Sequence, residues 1–356
     1  MFEIKVQQLN LAAADPFKFW TLNPIFERRR RGRFVLETRE MAERPTEIEH
    51  SFVVEGECHG WRLDRFLVKK IPRLSRTRVQ RVIRGECWID GRPAKPSQVV
   101  APGQVVTFRR PAPIEPDAPR ELPVLLADDA FYVLDKPAGI AMHPTAKFHF
   151  STVTSVLRER FPGEPLQITH RLDLETSGAL LIARTRDAAV ALKRAFARRK
   201  VRKRYLAIVR GELDGEGVID RPLGLDVGGL TRVKMAVRAE DDGGLPARTR
   251  WRALEKFPGH TLVECAPETG RQHQIRAHLD AIGFPIAGDK LYPDARIFVD
   301  YQDRGWDAVA ERLPLRRHAL HAAGLEFPHP STGEPVAASS PLPADLRAFL
   351  DRLPTR

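Results

Sequence analysis

Cysteine is scarce in this 356-residue chain, and the three that occur, Cys58, Cys87 and Cys265, are odd in number and far apart. They fit neither a disulfide framework nor the ligand spacing of a zinc site. No apolar run approaches the roughly 18 residues that span a bilayer. The first residues also lack the basic segment, apolar core and cleavage site of a secretory signal. We therefore predict a reduced, cytoplasmic protein with no membrane association.

Several catalytic signatures are missing as well. The chain has no His-Glu-x-x-His, and the spacing of His273 and His278 does not suit one helical face. It has neither a Gly-x-Ser-x-Gly elbow nor a phosphate-binding Gly-rich loop followed by Lys-Ser/Thr. No Gly-x-Gly-x-x-Gly opens a helix after a strand. We therefore expect no metal site, no redox cofactor and no nucleotide hydrolysis.

Positive charge, by contrast, is abundant. The 58 Lys and Arg against 46 Asp and Glu give a formal net charge of +12, with a pI near 9.9. Such an excess attracts polyanions, nucleic acid first and anionic membranes second. A hydrophobic content of 42% and a charged content of 29% are typical of a folded globular protein. The length allows two domains.

The first part of the chain is predicted to differ from the rest. Residues 1–50 are predicted to be a poorly ordered basic segment, because prolines interrupt the aromatic stretch that precedes an arginine run at 27–33. An alternative is that the segment is not native and that translation starts at Met41. Residues 111–121 are rich in proline and predict a semi-rigid, extended linker.

Residues 51–110 have the pattern of a small separate module. Ser75 is a suitable N-cap and Gly85 a suitable stop for a helix, and the Asp90-Gly91 pair indicates a hairpin. A basic helix pair packed on a small sheet resembles the RNA-binding domain first seen in ribosomal protein S-four. A solvated arginine face is the alternative. We predict RNA binding because the arginines cluster on one side of a short helix: Arg76, Arg78, Arg81 and Arg84.

From residue 122 to residue 356, local strand pairs are interleaved with a few helices. This pattern predicts an α+β fold, in which the small helical and β module is followed by a mixed, largely antiparallel β-sheet domain with flanking helices. Helices are predicted at 152–160, from Thr185 onwards, around 275–282 and at 343–353. Residues 291–314 are predicted to be irregular.

The densest group of reactive side chains lies between two strand-like runs, from Thr169 to Gly178. Strand connections of this density usually display side chains for function. Asp173 is the candidate reactive group, and it would need a cation, Arg276 or Arg271, in order to stay ionised. An ordinary turn aspartate is the alternative.

A second dense group is a basic run that leads into a clear strand at Tyr205. This arrangement suits backbone phosphates with a base stacked beside them on the aromatic ring. The alternative is a structural role, since the helix dipole favours cations at a helix C-terminus. That effect explains two or three of the positive charges but not the whole basic run. The residues predicted to contact RNA are Arg198, Arg199, Lys200, Arg202 and Lys203.

Four segments, in the same order along the chain, resemble the motifs of the RluA family of RNA pseudouridine synthases. They are Gly139-Ile140-x-x-His143-Pro144, His170-Arg171-Leu172-Asp173-x-x-Thr176-Ser177-Gly178, Lys203-Arg204-Tyr205-Leu206-Ala207, and Thr269-Gly270-Arg271-Gln272-His273-Gln274-Ile275-Arg276-x-His278, the last followed by Gly288-Asp289-x-x-Tyr292. Gln272 departs from the pattern, since threonine or serine is commoner there.

The resemblance implies that the chain converts uridine to pseudouridine within structured RNA, without metal or cofactor, by an aspartate nucleophile and base flipping. Asp173 then attacks carbon 1 of the ribose or assists elimination there. Tyr205 stacks on the flipped base, and Arg276 pairs with the catalytic carboxylate. Arg171 corresponds to an arginine that can fill the space the flipped nucleotide leaves. Further substrate contacts are expected from His170, Arg271 and Gln274.

By family, large-subunit rRNA is the expected substrate and tRNA the alternative, and the protein is expected to be a monomer. Two other classes stay open. A non-catalytic RNA-binding or ribosome-assembly factor would be expected to have lost Asp173. A glycoside or nucleoside hydrolase would need a second carboxylate near Asp173, for which Glu175 and Glu268 are the candidates.

Overall fold

The computed structural model describes residues 46–72, 75–112, 115–145 and 148–354. Most of the predicted basic segment 1–50 therefore lies outside the described residues. The chain divides into two units, with the boundary between Pro116 and Asp117. No helix in the described part of the chain is long and apolar enough to cross a membrane.

The smaller unit is a four-stranded antiparallel sheet with two helices. Its elements are β1 (Glu47–Val53), α1 (Leu63–Lys70), α2 (Arg76–Gly85), β2 (Glu86–Ile89), β3 (Arg92–Pro93) and β4 (Val105–Pro111), and the strand order is β1-β4-β2-β3. Ser75 caps α2 by accepting a hydrogen bond from the backbone N–H of Arg78. Asp90 and Gly91, with φ of 50° and 77°, make the predicted tight turn between β2 and β3.

Two features of this unit differ from the sequence prediction. Strand β1 was not predicted, and the boundary placed at residue 51 divides it. The strand has no clear apolar pattern in the sequence, because Ile48 is its only buried residue. Arg76 also has an internal partner: with Arg62 and Gln80 it binds the carboxylate of Asp64, which is fully buried. Burial would raise the pKa of Asp64, but the bond from Arg62, stronger than that burial effect, holds it far below its usual range.

The larger unit is built on a ten-stranded sheet and a separate two-stranded hairpin. Its elements are β5 (Val124–Ala127), β6 (Phe131–Lys136), α3 (Val153–Arg160), β7 (Gln167–Ile168), β8 (Ser177–Ala183), α4 (Arg186–Ala197), β9 (Arg202–Arg210), β10 (Glu216–Asp220), β11 (Leu223–Leu225), β12 (Met235–Val237), β13 (Arg248–Phe257), β14 (His260–Pro267), α5 (Gln274–Ala281), α6 (Ala295–Arg304), β15 (Leu320–Pro328), β16 (Pro335–Ser339) and α7 (Ala344–Asp351).

The main sheet has the order β10-β13-β14-β9-β15-β8-β6-β5, with β16 paired to β15 and β7 to β8, while β11 and β12 form a separate hairpin. Every pair in the sheet is antiparallel except β8 with β15. This confirms the predicted α+β fold with a largely antiparallel sheet.

Strand β8 lies inside the sheet, between β15 and β6, and is buried along its whole length. Leu180 and Ile182 pack into the core that contains residues of α3, α5 and α7, whereas Ala179, Leu181 and Ala183 pack into the core that contains α4. A strand covered on both faces reads as a continuous apolar run, as this one does.

Gly178, the second residue of β8, allows an unusually close approach of the backbones. A Cβ atom built on Gly178 would lie 2.7 Å from the carbonyl carbon of Ala322 on β15 and 2.8 Å from its nitrogen, and φ at this residue is +113°. Only glycine meets both conditions without strain. The residues that precede Gly178 are thereby brought against the start of β15.

Two predictions for the larger unit are wrong. The excursion 291–314 contains α6, which Asp294 caps by accepting from the backbone N–H of Arg296. Helix α5 begins at Gln274, so Gln272 and Arg276 are not one helical turn apart as the apolar pattern indicated. His273 precedes this helix with φ of 54°.

Candidate active site

A cavity of about 480 Å³ opens beside the start of β8. Three stretches of the chain form most of its lining: the loop 169–176 between β7 and β8, the start of β9, and the segment 267–276 that enters α5. Residues at the end of α4 and in its connection to β9 complete one side. These stretches carry three of the four motifs, so the fold brings together residues that are about a hundred positions apart in sequence. The volume lies within the roughly 300–1,000 Å³ of typical ligand pockets.

Asp173 lies in this cavity with 23% of its side chain exposed. Its carboxylate Oδ2 accepts a hydrogen bond from Nη1 of Arg276 at 3.1 Å. Burial raises the pKa of Asp173, but the charge of Arg276 and its hydrogen bond are the main effects that oppose burial, and the pKa lies below its usual value. Asp173 is therefore an anion at neutral pH with one face open to the cavity.

Arg276 is shared between two carboxylates. Its Nε and Nη2 donate to Asp289 at 2.6 and 2.9 Å, which leaves Nη1 for Asp173. Asp289 is fixed in turn, because its Oδ1 accepts from the backbone N–H groups of Leu291 and Tyr292. The ring centroid of Tyr292 lies 5.2 Å from the guanidinium carbon. The arginine therefore presents one donor to Asp173 in a fixed direction.

His273 is the nearest imidazole to the carboxylate, with Nε2 4.0 Å from Oδ2 of Asp173. Burial, together with the charge of Arg276, lowers the pKa of His273 to about 4, so the ring is neutral at pH 7. The sequence pattern showed this residue only as a rejected metal ligand. His273 belongs to the same motif as Arg276, and this shared motif could have indicated that it lies in the active site.

Tyr205 lies on β9, is buried, and forms part of the cavity wall. Burial and the charge of Asp173 both raise the pKa of its phenol, which therefore stays protonated. Lys203, two residues earlier, donates to the backbone carbonyl of Thr269 at 2.6 Å, and burial lowers its pKa to about 8. The cavity thus has an aromatic wall with a cation beside it.

Two of the predicted substrate contacts are engaged within the protein. His170 accepts from the backbone N–H of Leu181 at 3.0 Å and stacks on Phe196, and burial lowers its pKa to about 3. Gln274 accepts from Thr269 and Arg271 through Oε1, and its Nε2 donates to the backbone of Arg248 and the hydroxyl of Thr249. Both side chains line the cavity, but their hydrogen bonds hold the loops that form it.

Among the remaining predicted contacts, Arg171 is exposed at the cavity, and Arg271 donates Nε to the carbonyl of Pro246.

The basic residues fall into separate groups. Arg199 and Lys203 line the cavity, and Arg198 and Lys200 are exposed beside them in the connection from α4 to β9. Arg202 instead pairs with Glu326 at 3.4 Å. In the smaller unit Arg78, Arg81 and Arg84 are exposed on α2, as are Arg76 and Thr77.

The loop that carries Asp173 rests on buried charged groups that sequence reasoning did not identify. Lys136 donates to the carbonyl oxygens of Pro137, Ile140 and Leu174. Lys290 donates to Oε1 of Glu175 at 2.6 Å. The motif Gly288-Asp289-x-x-Tyr292 marked this segment as part of the family pattern. A sequence motif alone, however, does not show which residues its side chains contact.

Within the described residues one group, Glu55, Glu57 and Cys58 in the smaller unit, is close enough to hold a metal ion. Glu55 and Glu57 are paired there with Lys70 and Lys69. The group is remote in sequence from the motifs above.

The chain is similar to known RNA pseudouridine synthases. The family model described as RNA pseudouridylate synthase matches residues 130–281, a stretch that includes Asp173, Tyr205 and Arg276. The chain is 39% identical over 310 residues to the ribosomal large subunit pseudouridine synthase D of Xanthomonas campestris pv. campestris, covering 85% of this chain and 91% of that protein. It is 32% identical over 318 residues to synthase C of Vibrio vulnificus, covering 85% and 96%.

Solved structures are also similar. The human RNA pseudouridylate synthase domain containing 1 superposes with a TM-score of 0.51 at 29% identity, over 64% of this chain and 86% of that one. With ordered motifs, a shared fold and relatives that are matched over most of their length, the chain belongs to the RluA family of RNA pseudouridine synthases.

Proposed function

We propose that this enzyme isomerises uridine to pseudouridine in large-subunit rRNA. The observation that carries the proposal is the ionised carboxylate of Asp173, aimed by Arg276 into a cavity with an aromatic wall. The relatives compared above are named as ribosomal large subunit synthases, which favours rRNA over tRNA. A binding protein without catalysis would have no need for a carboxylate and an arginine held in this way.

In the proposed reaction the uridine is flipped out of its helix into the cavity. An oxygen of Asp173 attacks carbon 1 of the ribose, and the bond from that carbon to N1 of uracil breaks. The alternative route is elimination at the ribose assisted by the same carboxylate. The free uracil then turns, and its carbon 5 bonds to carbon 1 of the ribose as the bond from that carbon to the oxygen of Asp173 breaks and the carboxylate is released. The carbon-5 proton then leaves and N1 gains a proton. Substrate and product are isomers, so no oxidant or reductant is required.

The neighbouring residues have distinct proposed roles. Arg276 holds Asp173 as an anion in one orientation, which a nucleophile requires. Tyr205 offers the face on which the flipped base stacks. Because its phenol stays protonated, Tyr205 is not proposed to act as a phenolate base. The carboxylate of Asp173, once released, can accept the carbon-5 proton. Arg171 fills the place of the flipped nucleotide, and Arg271 contacts the substrate at the cavity.

Base flipping costs a few kcal/mol, which contacts to RNA must offset. We propose that the residues around the cavity (Arg198, Arg199, Lys200, Lys203 and, less directly, Arg202) supply phosphate contacts. The smaller unit, with Arg78, Arg81 and Arg84 exposed on α2, is proposed to be an RNA-binding domain of the S-four type. Arg76 contributes mainly by fixing Asp64. We also propose that residues 111–121 link this domain to the catalytic domain 122–356.

We further propose that the enzyme acts in the cytoplasm as a monomer, and that it needs no metal or cofactor because Asp173 supplies the nucleophile.

The test uses RNA that carries tritium at carbon 5 of uridine, since each turnover releases that atom. We expect Asp173→Asn to bind rRNA transcripts with unchanged affinity and to lose tritium release by a factor on the order of 10⁴ or more. Asp187→Asn, at an exposed carboxylate of α4, is the matched control and should keep parental turnover. Turnover by the Asp173→Asn variant near the parental rate would refute the proposed function.

A further inference from the structure

Two adjacent residues after α5, Asp289 and Lys290, contact two different parts of the active site. Asp289 binds the guanidinium of Arg276, and Lys290 binds the carboxylate of Glu175, two residues beyond Asp173. Neither residue lines the cavity, so neither is in a position to contact the flipped base. Together they connect the helix that carries the arginine to the loop that carries the nucleophile.

The contact on the arginine side fixes an orientation. The side chain of Asp289 has no exposed surface and that of Arg276 is 9% exposed. Two parallel hydrogen bonds from Nε and Nη2 allow only one rotation of the planar guanidinium about its axis. In that rotation Nη1 is the donor that faces Asp173. Without Asp289 the guanidinium would be free to place two of its nitrogens on Asp173 instead of one.

The contact also sets the charge balance. One guanidinium facing one carboxylate would form a neutral pair, in which the carboxylate is a poor nucleophile. With Asp289 on the other edge, the cation is shared between two anions, and the three groups carry a net charge of −1. Asp173 therefore keeps an electron pair available for the ribose while still being aimed by a hydrogen bond.

The contact on the loop side is less enclosed, since the side chain of Glu175 is 20% exposed, but both partners are tied by further hydrogen bonds. Lys290 is 4% exposed, and its Nζ donates to Oε1 of Glu175 at 2.6 Å and to the carbonyl of Arg316 at 2.5 Å. Oε2 of Glu175 accepts from the backbone N–H of His318 at 3.0 Å. Both oxygens of Glu175 are therefore held, and the loop has little freedom to carry Asp173 away from Arg276.

The backbone between these contacts is fixed as well. Gly288 has φ of +74°, and a Cβ atom built on it would lie 2.9 Å from Cβ of Leu315 and 3.1 Å from the carbonyl carbon of Arg317. The loop therefore packs directly against the segment that leads into β15. A rigid loop with two oppositely charged side chains is suited to setting a distance between two other groups.

We propose that Asp289 and Lys290 are positioning residues that together set the geometry between Asp173 and Arg276. This proposal rests on the proposed function, in which Asp173 is the reactive group. Asp289 fixes the orientation of the Arg276 guanidinium and shares its positive charge with Asp173. Lys290 fixes the position of the loop that carries Asp173. Asp173 remains the residue that reacts with the substrate.

The test compares Asp289→Asn and Lys290→Met with Glu264→Gln. Glu264 is a suitable control because it is a buried carboxylate that binds two arginines, Arg204 and Arg252, and does not line the cavity. Each variant is assayed for affinity to an rRNA transcript and for the single-turnover rate of tritium release. A misplacement of about 1 Å costs on the order of a hundredfold in rate. We expect losses of about that size for Asp289→Asn and Lys290→Met, with affinity within about twofold of the parent, and no loss for Glu264→Gln.

A second measurement separates positioning from support of the fold. The Nε–H of Arg276 donates to a buried carboxylate and should give a slowly exchanging ¹⁵N resonance, assigned by its loss in Arg276→Lys. In Lys290→Met that resonance should persist although the rate falls, whereas in Asp289→Asn it should disappear. Should Asp289→Asn fail to fold, Asp289→Glu replaces it, because it keeps the charge but displaces it by one methylene, and the same rate loss is expected.

Single-turnover rates within about threefold of the parent in folded Asp289 and Lys290 variants would overturn the proposal. So would a loss in Glu264→Gln equal to theirs, since any buried ion pair would then have the same effect. Failure of the proposed function is distinguishable, because it appears as turnover by Asp173→Asn, whatever the Asp289 and Lys290 variants do.

Discussion

Replacing Gly178 with alanine tests whether the close approach of β8 and β15 is essential to the fold. The two strands pair in parallel through Ser177 with His321 and through Gly178 with Ala322. The added methyl group would lie 2.7 Å from the carbonyl carbon of Ala322 and in closer overlap with its oxygen. The backbone cannot yield without separating the strands, since β8 is buried on both faces.

The expected cost has two sources. A residue with a Cβ atom at φ of +113° carries strain of about 1–3 kcal/mol. Separating the strands disrupts the two paired positions, each worth about 0.5–1.5 kcal/mol in hydrogen bonding. We therefore expect the free energy of unfolding to fall by about 2–6 kcal/mol, a large part of the 5–15 kcal/mol that is typical of a protein.

Urea unfolding followed by tryptophan fluorescence measures this difference. Gly163→Ala is the matched control, because Gly163 has φ of +86° but no atom within 4 Å of the added Cβ. That variant should lose only the free energy associated with the positive φ, about 1–2 kcal/mol. A Gly178→Ala variant no less stable than Gly163→Ala would show that the strands tolerate the methyl group and that the close approach is not a constraint.

Two further predictions concern RNA affinity and pH. Replacing Arg78 and Arg81 together with alanine should weaken binding to an rRNA transcript and reduce the slope of log affinity against log salt by about 1–2, with the thermal midpoint unchanged; an unchanged slope would contradict a role for α2 in RNA binding. His321 is buried between Ser177 and the carbonyl of Ser340, and burial lowers its pKa from 6.5 to about 4. Because the unfolded chain binds a proton below pH 6.5 and the folded protein does not, this group reduces stability as pH falls, by about 2 kcal/mol between pH 7 and pH 5. In His321→Asn the loss of unfolding free energy between these two pH values should be smaller by that amount, and an equal loss in both proteins would refute the assignment.

Local sequence patterns predicted much of the fold. Ser75 and Thr185 cap helices as their residue types and positions indicated. The apolar run after Gly178 forms a strand, and the alternation of short strands with few helices gave the correct class. These features depend on neighbouring residues, which is why a single sequence reveals them.

Features that depend on distant contacts were not predictable. Asp289 and Lys290 lie in a loop without periodicity, and their partners are 13 and 115 positions away. Strand β1 has only one fully buried residue, so it carries almost no apolar signal. Helix α5 starts at Gln274 because His273 adopts a left-handed conformation, and no pattern in the sequence indicates that choice.

The pairing of β8 with β15 also has a consequence for biosynthesis. Ser177 and His321 are 144 positions apart, and Arg317, which contacts the backbone of Glu175, is anchored by Asp345. A chain still emerging from the ribosome contains Asp173 long before it contains the residues that hold Asp173 in place. Pairings over such separations form late in folding. The nascent polypeptide should thus be inert towards RNA, including the rRNA of the ribosome that is making it, until the segment that contains Arg317 and Asp345 has been synthesised and has folded.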